Sequence, residues 1–198
     1  MFMCEDEDTI KPAEFTETKM FYDFAVKTRT VTIIGEINQR LAERVLKQLL
    51  YLESISAEEP IKIIINSQGG HVEAGDTIHD IIKFIKPKVL MIGSGWVASA
   101  GVIIYCAADK KNRYCLPNTR FLIHQPSGGA RGQASDIEIE AAEILKMKKR
   151  LINIISAATG QPADKIEREG DRNFWLDANA AMQYGLVNKI ITSTTEIK

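Results

Sequence analysis

The sequence predicts an α/β fold built from repeated β-α-β units around a mostly parallel sheet. Apolar runs typical of buried strands begin near residues 30, 61 and 88, and stretches with apolar residues at helical spacing lie between them. This alternation favours parallel pairing with right-handed crossovers. Nothing divides the 198 residues in two and no internal repeat is present, so we expect a single domain over residues 20–198.

Composition and charge narrow the possible function classes. The chain is 45% hydrophobic, with a formal net charge of −1 and no basic stripe, which argues against nucleic acid as the main partner. No apolar run reaches the roughly 18 residues of a membrane span. The acidic start does not resemble a signal peptide, and the three cysteines lack metal-type pairing. We therefore expect a cytoplasmic protein with no metal, no cofactor and no membrane partner.

The first half of the chain supplies three strands and four helices. Residues 1–19 are polar and aperiodic, which predicts a flexible arm, and residues 20–26 favour a short apolar helix. Asn38 is a candidate N-cap, since it precedes a helical pattern that runs through residue 54. The other predicted elements are strands at 30–34, 61–65 and 88–92 and helices at 73–85 and 102–108.

The second half contains one unusually long helix. It runs from Gln133 to about Ala158, and roughly 26 residues correspond to about 39 Å. Its apolar positions cover two sides, so we expect the helix to pack against another subunit. The remaining predicted elements are strands at 113–116, 120–123 and 187–191 and helices at 164–169 and 177–184.

The segment Gly93–Gly101 is the candidate centre of a functional site. Its small residues lie between an apolar strand and a helix with no polar face, where they allow a sharp turn and close backbone approach. Ser99 stands at the helix start, where free backbone N–H groups favour a developing negative charge. An activated nucleophile needs this environment. The alternative is that Ser99 is a packing residue or an N-cap.

Two further candidate segments follow predicted strands. The glycine pair in Asn66–Gly70 can aim backbone N–H groups into an oxyanion hole, or it can form a tight loop that needs positive φ. His124 ends the strand at 120–123; it is either a structural histidine or the base that a serine nucleophile requires. Ligands and chemistry gather at the carboxyl ends of parallel strands, which is where these segments lie.

With these segments in place, the chain resembles the proteolytic subunits of the Clp protease, the ClpP family, from about Phe24 to Ile191. The resemblance implies a crotonase-like α/β fold with a long protruding handle helix. It also implies a barrel of two stacked heptameric rings that encloses the active sites, in which handles meet across the rings. The matching segments are Ile65–Gly70, Val97–Gly101, Leu116–Arg120, Ile123–Pro126 with Gly128–Gly129, Gly132–Ile139, Glu143–Lys148 and Tyr184–Val187.

The same resemblance implies roles for individual residues. Ser99 is then the nucleophile and His124 the general base. The backbone N–H groups of Gly70 and Ala100 form the oxyanion hole. Counting without gaps from His124, Asn173 stands where the family has the aspartate of its catalytic triad.

Asparagine at position 173 predicts weakened activity. An aspartate fixes the histidine tautomer and stabilises the imidazolium. An asparagine oxygen accepts a hydrogen bond from the ring N–H but brings no negative charge. In a trypsin-type triad this exchange costs about 10⁴ in turnover, although Cys-His-Asn sites work with a more acidic nucleophile. Asp171 takes over this role only if its loop shifts. The resemblance implies instead that Asp171 and Arg172 form an inter-ring contact that couples assembly to activity.

Other departures from the family pattern bear on the partners. Lys62 and Ile64 stand where the family has tyrosines that help form the pocket for an AAA+ unfoldase of the ClpX or ClpC type, although Phe84 is kept. Gln68 stands where the family has proline, which predicts a less rigid loop. Together with Asn173, these departures resemble the divergent second ClpP of some bacteria, which works in a mixed barrel beside an ordinary paralogue.

The sequence leaves three functions open. The first is a serine peptidase subunit that hydrolyses unfolded polypeptides delivered by an AAA+ unfoldase, with activity reduced by a Ser-His-Asn site. The second is a weakly active or inactive structural or allosteric subunit of a mixed barrel. The third is an acyl-CoA enzyme on the same fold. Ser99 and His124 count against the third function, because it needs no Ser-His pair.

Overall fold

Strands and helices alternate along the chain as predicted. The computed structural model describes residues 12–129 and 131–197, with side chains from residue 19 onward. The strands are β1 (Thr30–Ile37), β2 (Ile61–Gly70), β3 (Val89–Ala98), β4 (Arg113–Cys115), β5 (Arg120–Ile123), β6 (Phe174–Asp177) and β7 (Lys189–Ile190). The helices are α1 (Pro12–Thr28), α2 (Gln39–Ile55), α3 (Val72–Phe84), α4 (Ala100–Tyr105), α5 (Ala134–Thr159), α6 (Ala163–Glu169) and α7 (Ala178–Tyr184), with short 3-10 turns at Lys110–Asn112 and Thr194–Glu196.

One mostly parallel sheet carries all the candidate site segments. Its main order is β1-β2-β3-β4-β7, and these neighbours are parallel. β3 changes neighbours along its length: Met91–Gly93 pairs with β4, whereas Trp96–Ala98 pairs with β5, also in parallel. β6 is the exception, since it runs antiparallel to β5. The predicted α/β class with parallel pairing is confirmed.

Two segments predicted as turn or loop are instead strand, so those predictions were wrong. Residues 93–98 continue β3, and Asn66–Gly70 continues β2 as far as the pair Ile37↔Gly70. Each of these ladders contains one register shift near the small residues. The shift in the β1–β2 ladder lies between Ile34 and Glu36, and the shift in the β2–β3 ladder lies between Ile65 and Ser67. The small residues therefore extend the strands into the site.

The core lies between the sheet and the helices α2, α3 and α4. The Asn38 side chain accepts a hydrogen bond from the Leu41 N–H at 2.9 Å, which confirms the predicted N-cap of α2. Ile33, Ile63 and Ile65 are fully buried on the strands. All six residues of α4 are buried, which explains why this helix has no polar face.

Helix α1 begins earlier than the sequence predicted. The expected arm covered residues 1–19 and the expected helix began at Met20, whereas the helix starts at Pro12. The part of the arm at residues 1–11 lies outside the described residues. Met20, Phe21 and Phe24 are exposed on α1.

Helix α5 has the length that the sequence predicts, with 26 residues. Its first ten side chains are all exposed, and its packing against the core begins near Leu151 and Ile155. Two ion pairs hold its base, one from Arg150 to Asp76 on α3 and one from Lys148 to Glu167 on α6 at 3.0 Å. The exposed half includes Ile139, which is 61% exposed. Packing of this half against another subunit stays a prediction.

A buried arginine ties β1 to the end of α2 and the start of β2. Arg29 is 7% exposed and has positive φ (49°). Its guanidinium donates hydrogen bonds to four backbone carbonyls at 2.9–3.3 Å, those of Leu52, Ser56, Glu59 and Pro60. A cation at the C-terminal end of a helix satisfies carbonyls that have no helical partner.

The C-terminal turn depends on an ionised glutamate. Glu196 accepts hydrogen bonds from the backbone N–H of Thr192, from Lys189 and from the Thr192 hydroxyl, and these hold its pKa at about 2. Because this pKa lies below the unfolded value, the stabilisation is complete above the unfolded pKa and is lost as pH falls through the folded pKa. We expect an NMR titration of the Glu196 carboxyl carbon to give a midpoint below about 3 and Lys189→Met to raise it. A midpoint near the ordinary glutamate value would contradict the contacts.

Candidate active site

Ser99 stands at the junction of β3 and α4 in a strained backbone conformation. Its φ is 56° and its ψ −122°, a region that residues with a side chain rarely adopt. The Ser99 N–H donates to the Leu122 carbonyl at 2.9 Å, which fixes the junction against β5. Its side chain makes no capping hydrogen bond. Ser99 is thus the N-cap residue of α4 by position, as the alternative predicted, but its half-buried hydroxyl does not cap the helix.

The end of β2 touches the candidate nucleophile. Gly69 has φ +98°, and a Cβ there would lie 2.6 Å from the Ser99 Cβ and 2.8 Å from the Ala98 carbonyl oxygen. A side chain at 69 would push Ser99 out of place. Ser67 holds this segment, since its hydroxyl donates to the Gly35 carbonyl at 2.6 Å and accepts from the Gly69 N–H at 3.0 Å. These bonds hold the segment to β1, and the effect of Gln68 on its rigidity stays a prediction.

Of the two residues predicted to form an oxyanion hole, Ala100 follows Ser99 directly and Gly70 follows Gly69, the position that contacts Ser99. Ala100 is the first residue of α4, so its N–H has no partner within the helix. Gly70 is the last residue of β2 and follows the glycine that contacts Ser99. Its φ of +149° and its close approach to Ile37 leave no room for a side chain, since a Cβ would lie 2.2 Å from the Ile37 carbonyl oxygen.

The strand register brings His124 to the same edge of the sheet as Ser99. β3 and β5 are parallel neighbours, with Ala98 opposite Leu122, and both strands end there. Ser99 directly follows β3, and His124 directly follows β5. His124 is half-buried. Adjacent carboxyl ends of parallel strands therefore present the candidate nucleophile and the candidate base together.

Asn173 is aligned with His124 by the antiparallel pairing of β5 and β6. The last pair in that ladder is Ile123 with Phe174, so His124 and Asn173 come next in register. Residues directly opposite each other in an antiparallel pair have Cα atoms about 4.5–5.5 Å apart and side chains on one face. Both residues line a cleft of about 740 Å³. The sequence did not predict β6, because the segment from Gly170 to Trp175 reads as polar.

The strand register aligns the three residues, but no hydrogen bond joins their side chains within the described residues. Within residues 12–129 and 131–197, no hydrogen bond involves the Ser99 hydroxyl, the His124 ring or the Asn173 amide. Catalytic hydrogen bonds are often long or poorly aligned before substrate binds. The missing bonds are therefore compatible with a catalytic role for the three residues.

Gln125 is a site residue that the sequence analysis did not single out as functional. Its N–H donates to the Gly170 carbonyl at 2.8 Å, and its side-chain amide donates to Asp171 at the carbonyl oxygen (2.9 Å) and at Oδ1 (3.3 Å). These bonds attach the segment that carries Asn173 to the residue that follows His124. The signal available in the sequence was its position directly after the candidate base. Arg172, which is 93% exposed, lies 3.8 Å from the Asp171 carboxylate.

Alternative chemistry finds little support among the described residues. No group of three His, Cys, Asp or Glu side chains is arranged there to hold a metal ion. Burial raises the pKa of the Cys106 thiol to about 11 and that of Cys115 to about 12, so neither is poised as a nucleophile.

None of the described helices has the length and apolar character of a membrane span.

Comparison with known proteins gives one consistent result. The Clp protease family matches residues 14–194. The chain is 59% identical over 182 residues to ATP-dependent Clp protease proteolytic subunit 3 of Rhizobium johnstonii, covering 92% of this chain and 91% of that protein. It is 58% identical to proteolytic subunit 2 of Pseudomonas aeruginosa, covering 88% and 87% of the two chains.

Solved structures agree with the sequence relatives. An Asn-to-Asp mutant of ClpP1 from Listeria monocytogenes matches with a TM-score of 0.84 and 58% identity, covering 90% of this chain and 99% of that chain. ClpP1 from the same organism matches with a TM-score of 0.81 and 57% identity over the same shares. The crotonase-like ClpP fold and the Clp-type serine endopeptidase that the resemblance implied are thereby confirmed. The chain belongs to the Clp protease family.

Proposed function

We propose that the chain hydrolyses peptide bonds of unfolded polypeptides through a Ser-His-Asn site formed by Ser99, His124 and Asn173. The observation that carries this proposal is the strand register, which sets Ser99 beside the end of β5 and aligns His124 with Asn173. The strained Ser99 backbone, with a hydroxyl not used for capping, supports the assignment of the nucleophile. Activity is reduced relative to an Asp-containing site.

The proposed mechanism is acyl transfer. His124 takes the proton of the Ser99 hydroxyl as that oxygen attacks the peptide carbonyl, and then donates it to the leaving amine. The N–H groups of Gly70 and Ala100 stabilise the oxyanion of the tetrahedral intermediate. Water then hydrolyses the acyl-enzyme by the reverse sequence of proton transfers. The side-chain oxygen of Asn173 accepts a hydrogen bond from the other ring N–H of His124, which fixes the tautomer of the ring. The asparagine brings no negative charge to stabilise the imidazolium.

The proposed assembly is a barrel of two heptameric rings. The exposed first half of α5 supports an inter-ring handle, and exposed Asp171 and Arg172 support an inter-ring contact beside the site. The names of the relatives describe ATP-dependent Clp protease subunits. We extend this to an AAA+ unfoldase of the ClpX or ClpC type and to a second ClpP paralogue in a mixed barrel, in the cytoplasm. Phe84 is 78% exposed, which supports a docking contact at the kept position. Ile64 is half-buried against Leu90 and Ile92, which supports the proposal of weak docking by this chain alone.

Asn173→Asp tests the proposed site. We expect the aspartate variant to raise kcat for a short fluorogenic peptide by about 10-fold or more, because the imidazolium gains a counter-charge. The peptide is assayed with the purified chain alone and with an ordinary ClpP paralogue whose own serine is replaced by alanine. Ser99→Ala, made both in the wild-type chain and in Asn173→Asp, measures the background rate that does not depend on Ser99. An unchanged rate in Asn173→Asp, with the barrel intact, would contradict the assignment of position 173.

The second candidate is a structural or allosteric subunit. Asn173, which brings no charge to the proposed base, favours it. An active-site serine reagent separates the two functions. The peptidase requires covalent labelling of Ser99, whereas an unlabelled chain that still activates the paralogue would establish the structural role.

A further inference from the structure

Two exposed tryptophans and an arginine form a stack beside the site. The rings of Trp96 and Trp175 are parallel within 3°, with centroids 6.5 Å apart. The Arg120 Cζ lies 4.2 Å from the ring centre of Trp175, in cation–π contact. Trp96 is 42% exposed and Trp175 37% exposed, so the stack is not part of the buried core. We refer to these three residues as the tryptophan stack.

The tryptophan stack joins the three strands that carry the proposed catalytic residues. Trp96 on β3 is the register partner of Arg120 on β5, and Trp175 on β6 lies diagonally across from Arg120. β3 and β6 do not pair with each other, since β5 lies between them. The Trp96–Trp175 contact is therefore a side-chain connection between the two outer strands across the middle one.

Each member of the tryptophan stack is close in sequence to one member of the site. Trp96 precedes Ser99 by three residues, Arg120 precedes His124 by four, and Trp175 follows Asn173 by two. At about 3.3 Å per strand residue, these separations correspond to about 7–13 Å. A shift of β6 along β5 would displace both the stack and Asn173.

The ladders that the tryptophan stack reinforces are short. β5 pairs with β3 over three residues and with β6 over four. A one-residue slip in register moves every side chain to the opposite face, so the buried Phe121 and Leu176 already disfavour it. Phe121 and Leu176 are buried on the opposite face of these strands. The tryptophan stack adds cross-strand aromatic and cation–π pairs on the exposed face.

We infer that Trp96, Arg120 and Trp175 are positioning residues that hold His124 and Asn173 in register with Ser99. An aspartate at 173 would help to align the histidine through charge. Asn173 supplies no charge, so alignment depends more on the packing of the strands. This inference rests on the proposed function, and it predicts that the tryptophan stack matters more with asparagine at position 173 than with aspartate.

A double-mutant cycle tests the inference. We expect Trp175→Leu to lower kcat for the fluorogenic peptide by about 10-fold with KM unchanged, as for a residue that acts through others. In the Asn173→Asp background the same change lowers kcat by about 3-fold or less. Trp175→Phe, which keeps an aromatic ring in place, restores at least half of the wild-type rate. Equal losses in the two backgrounds would overturn the inference, as would a rise in KM alone, which indicates a peptide-docking surface.

Hydrogen exchange gives a readout that does not depend on activity. We expect faster amide exchange in Trp175→Leu confined to β5, β6 and the residues that follow β5. The matched control is Tyr51→Leu, which removes an exposed ring that lies 6.2 Å from Tyr22, away from the site. If wild type has no Ser99-dependent activity, the proposed function fails, and exchange alone decides the inference. Unchanged exchange in β5 and β6 would overturn it, as would loss of ring assembly in Trp175→Leu, which indicates a subunit contact.

Discussion

Gly69→Ala is expected to lower kcat at least 100-fold while the chain still folds. An added Cβ would lie 2.6 Å from the Ser99 Cβ and 2.8 Å from the Ala98 carbonyl oxygen, both closer than atoms approach in real structures. The least costly relief is a shift of Ser99, and a displacement of about 1 Å at a reacting group costs on the order of 10² in rate. The measurement is kcat for the fluorogenic peptide in the Asn173→Asp background, where the signal is larger.

Gly35→Ala is the matched control for Gly69→Ala. Gly35 also has positive φ (+83°), but a Cβ there would have no atom within 4 Å. Alanine at 35 therefore carries a similar backbone penalty of about 1 kcal/mol without the contact to Ser99. We expect Gly35→Ala to keep its rate within about 3-fold of its parent. A folded Gly69→Ala variant with the same rate as Gly35→Ala would show that the contact does not position the nucleophile.

Arg29→Met is expected to lower the free energy of unfolding by about 3 kcal/mol. Methionine fills much of the same space, but it leaves the carbonyls of Leu52, Ser56, Glu59 and Pro60 without their donor. The bond to Leu52 is buried and its loss costs about 1 kcal/mol or more, whereas the other three are part-buried and cost less each, because water can replace the donor. Urea unfolding monitored by circular dichroism, at one fixed protein concentration, measures the change.

Glu59→Gln separates the carbonyl contacts of Arg29 from its ion pair. The Glu59 carboxylate lies 3.8 Å from Arg29 Nε, but its side chain is 68% exposed. Exposed ion pairs contribute about 0–1 kcal/mol, so we expect this variant to unfold within about 0.5 kcal/mol of wild type. If Glu59→Gln were as destabilised as Arg29→Met, the ion pair rather than the carbonyl contacts would be the source of stability.

Local pattern predicted most of the elements that position the site. Asn38 is the N-cap of α2, the strand before His124 ends at Ile123, and α5 has the expected length. These features were predictable because caps and hydrophobic periodicity are local properties of the sequence. The pattern misassigned residues 93–98 and 66–70 as turn or loop. Glycine and serine favour turns in isolation, but neighbouring strands supplied partners that kept both segments extended.

The alignment of the site could not be predicted from local pattern. β6 has only four residues, and its pairing with β5 depends on the packing of everything between positions 123 and 174. Asn173 was identified through the family resemblance rather than from periodicity or spacing. The contacts of Gln125 with Asp171 and of Trp96 with Trp175 are also long-range, so no sequence window contains both partners.

The positive φ of Ser99 bears on whether this chain has been released from selection for catalysis. A serine held at that conformation costs the fold about 1–3 kcal/mol, a cost that glycine would not incur. In a subunit kept only for its shape, Ser99→Gly would increase stability, and no loss of function would oppose that substitution. Such strain persists where chemistry requires the hydroxyl. The retained serine therefore supports the proposed role of the Ser99 hydroxyl, and we expect Ser99→Gly to raise the free energy of unfolding by about 1–3 kcal/mol.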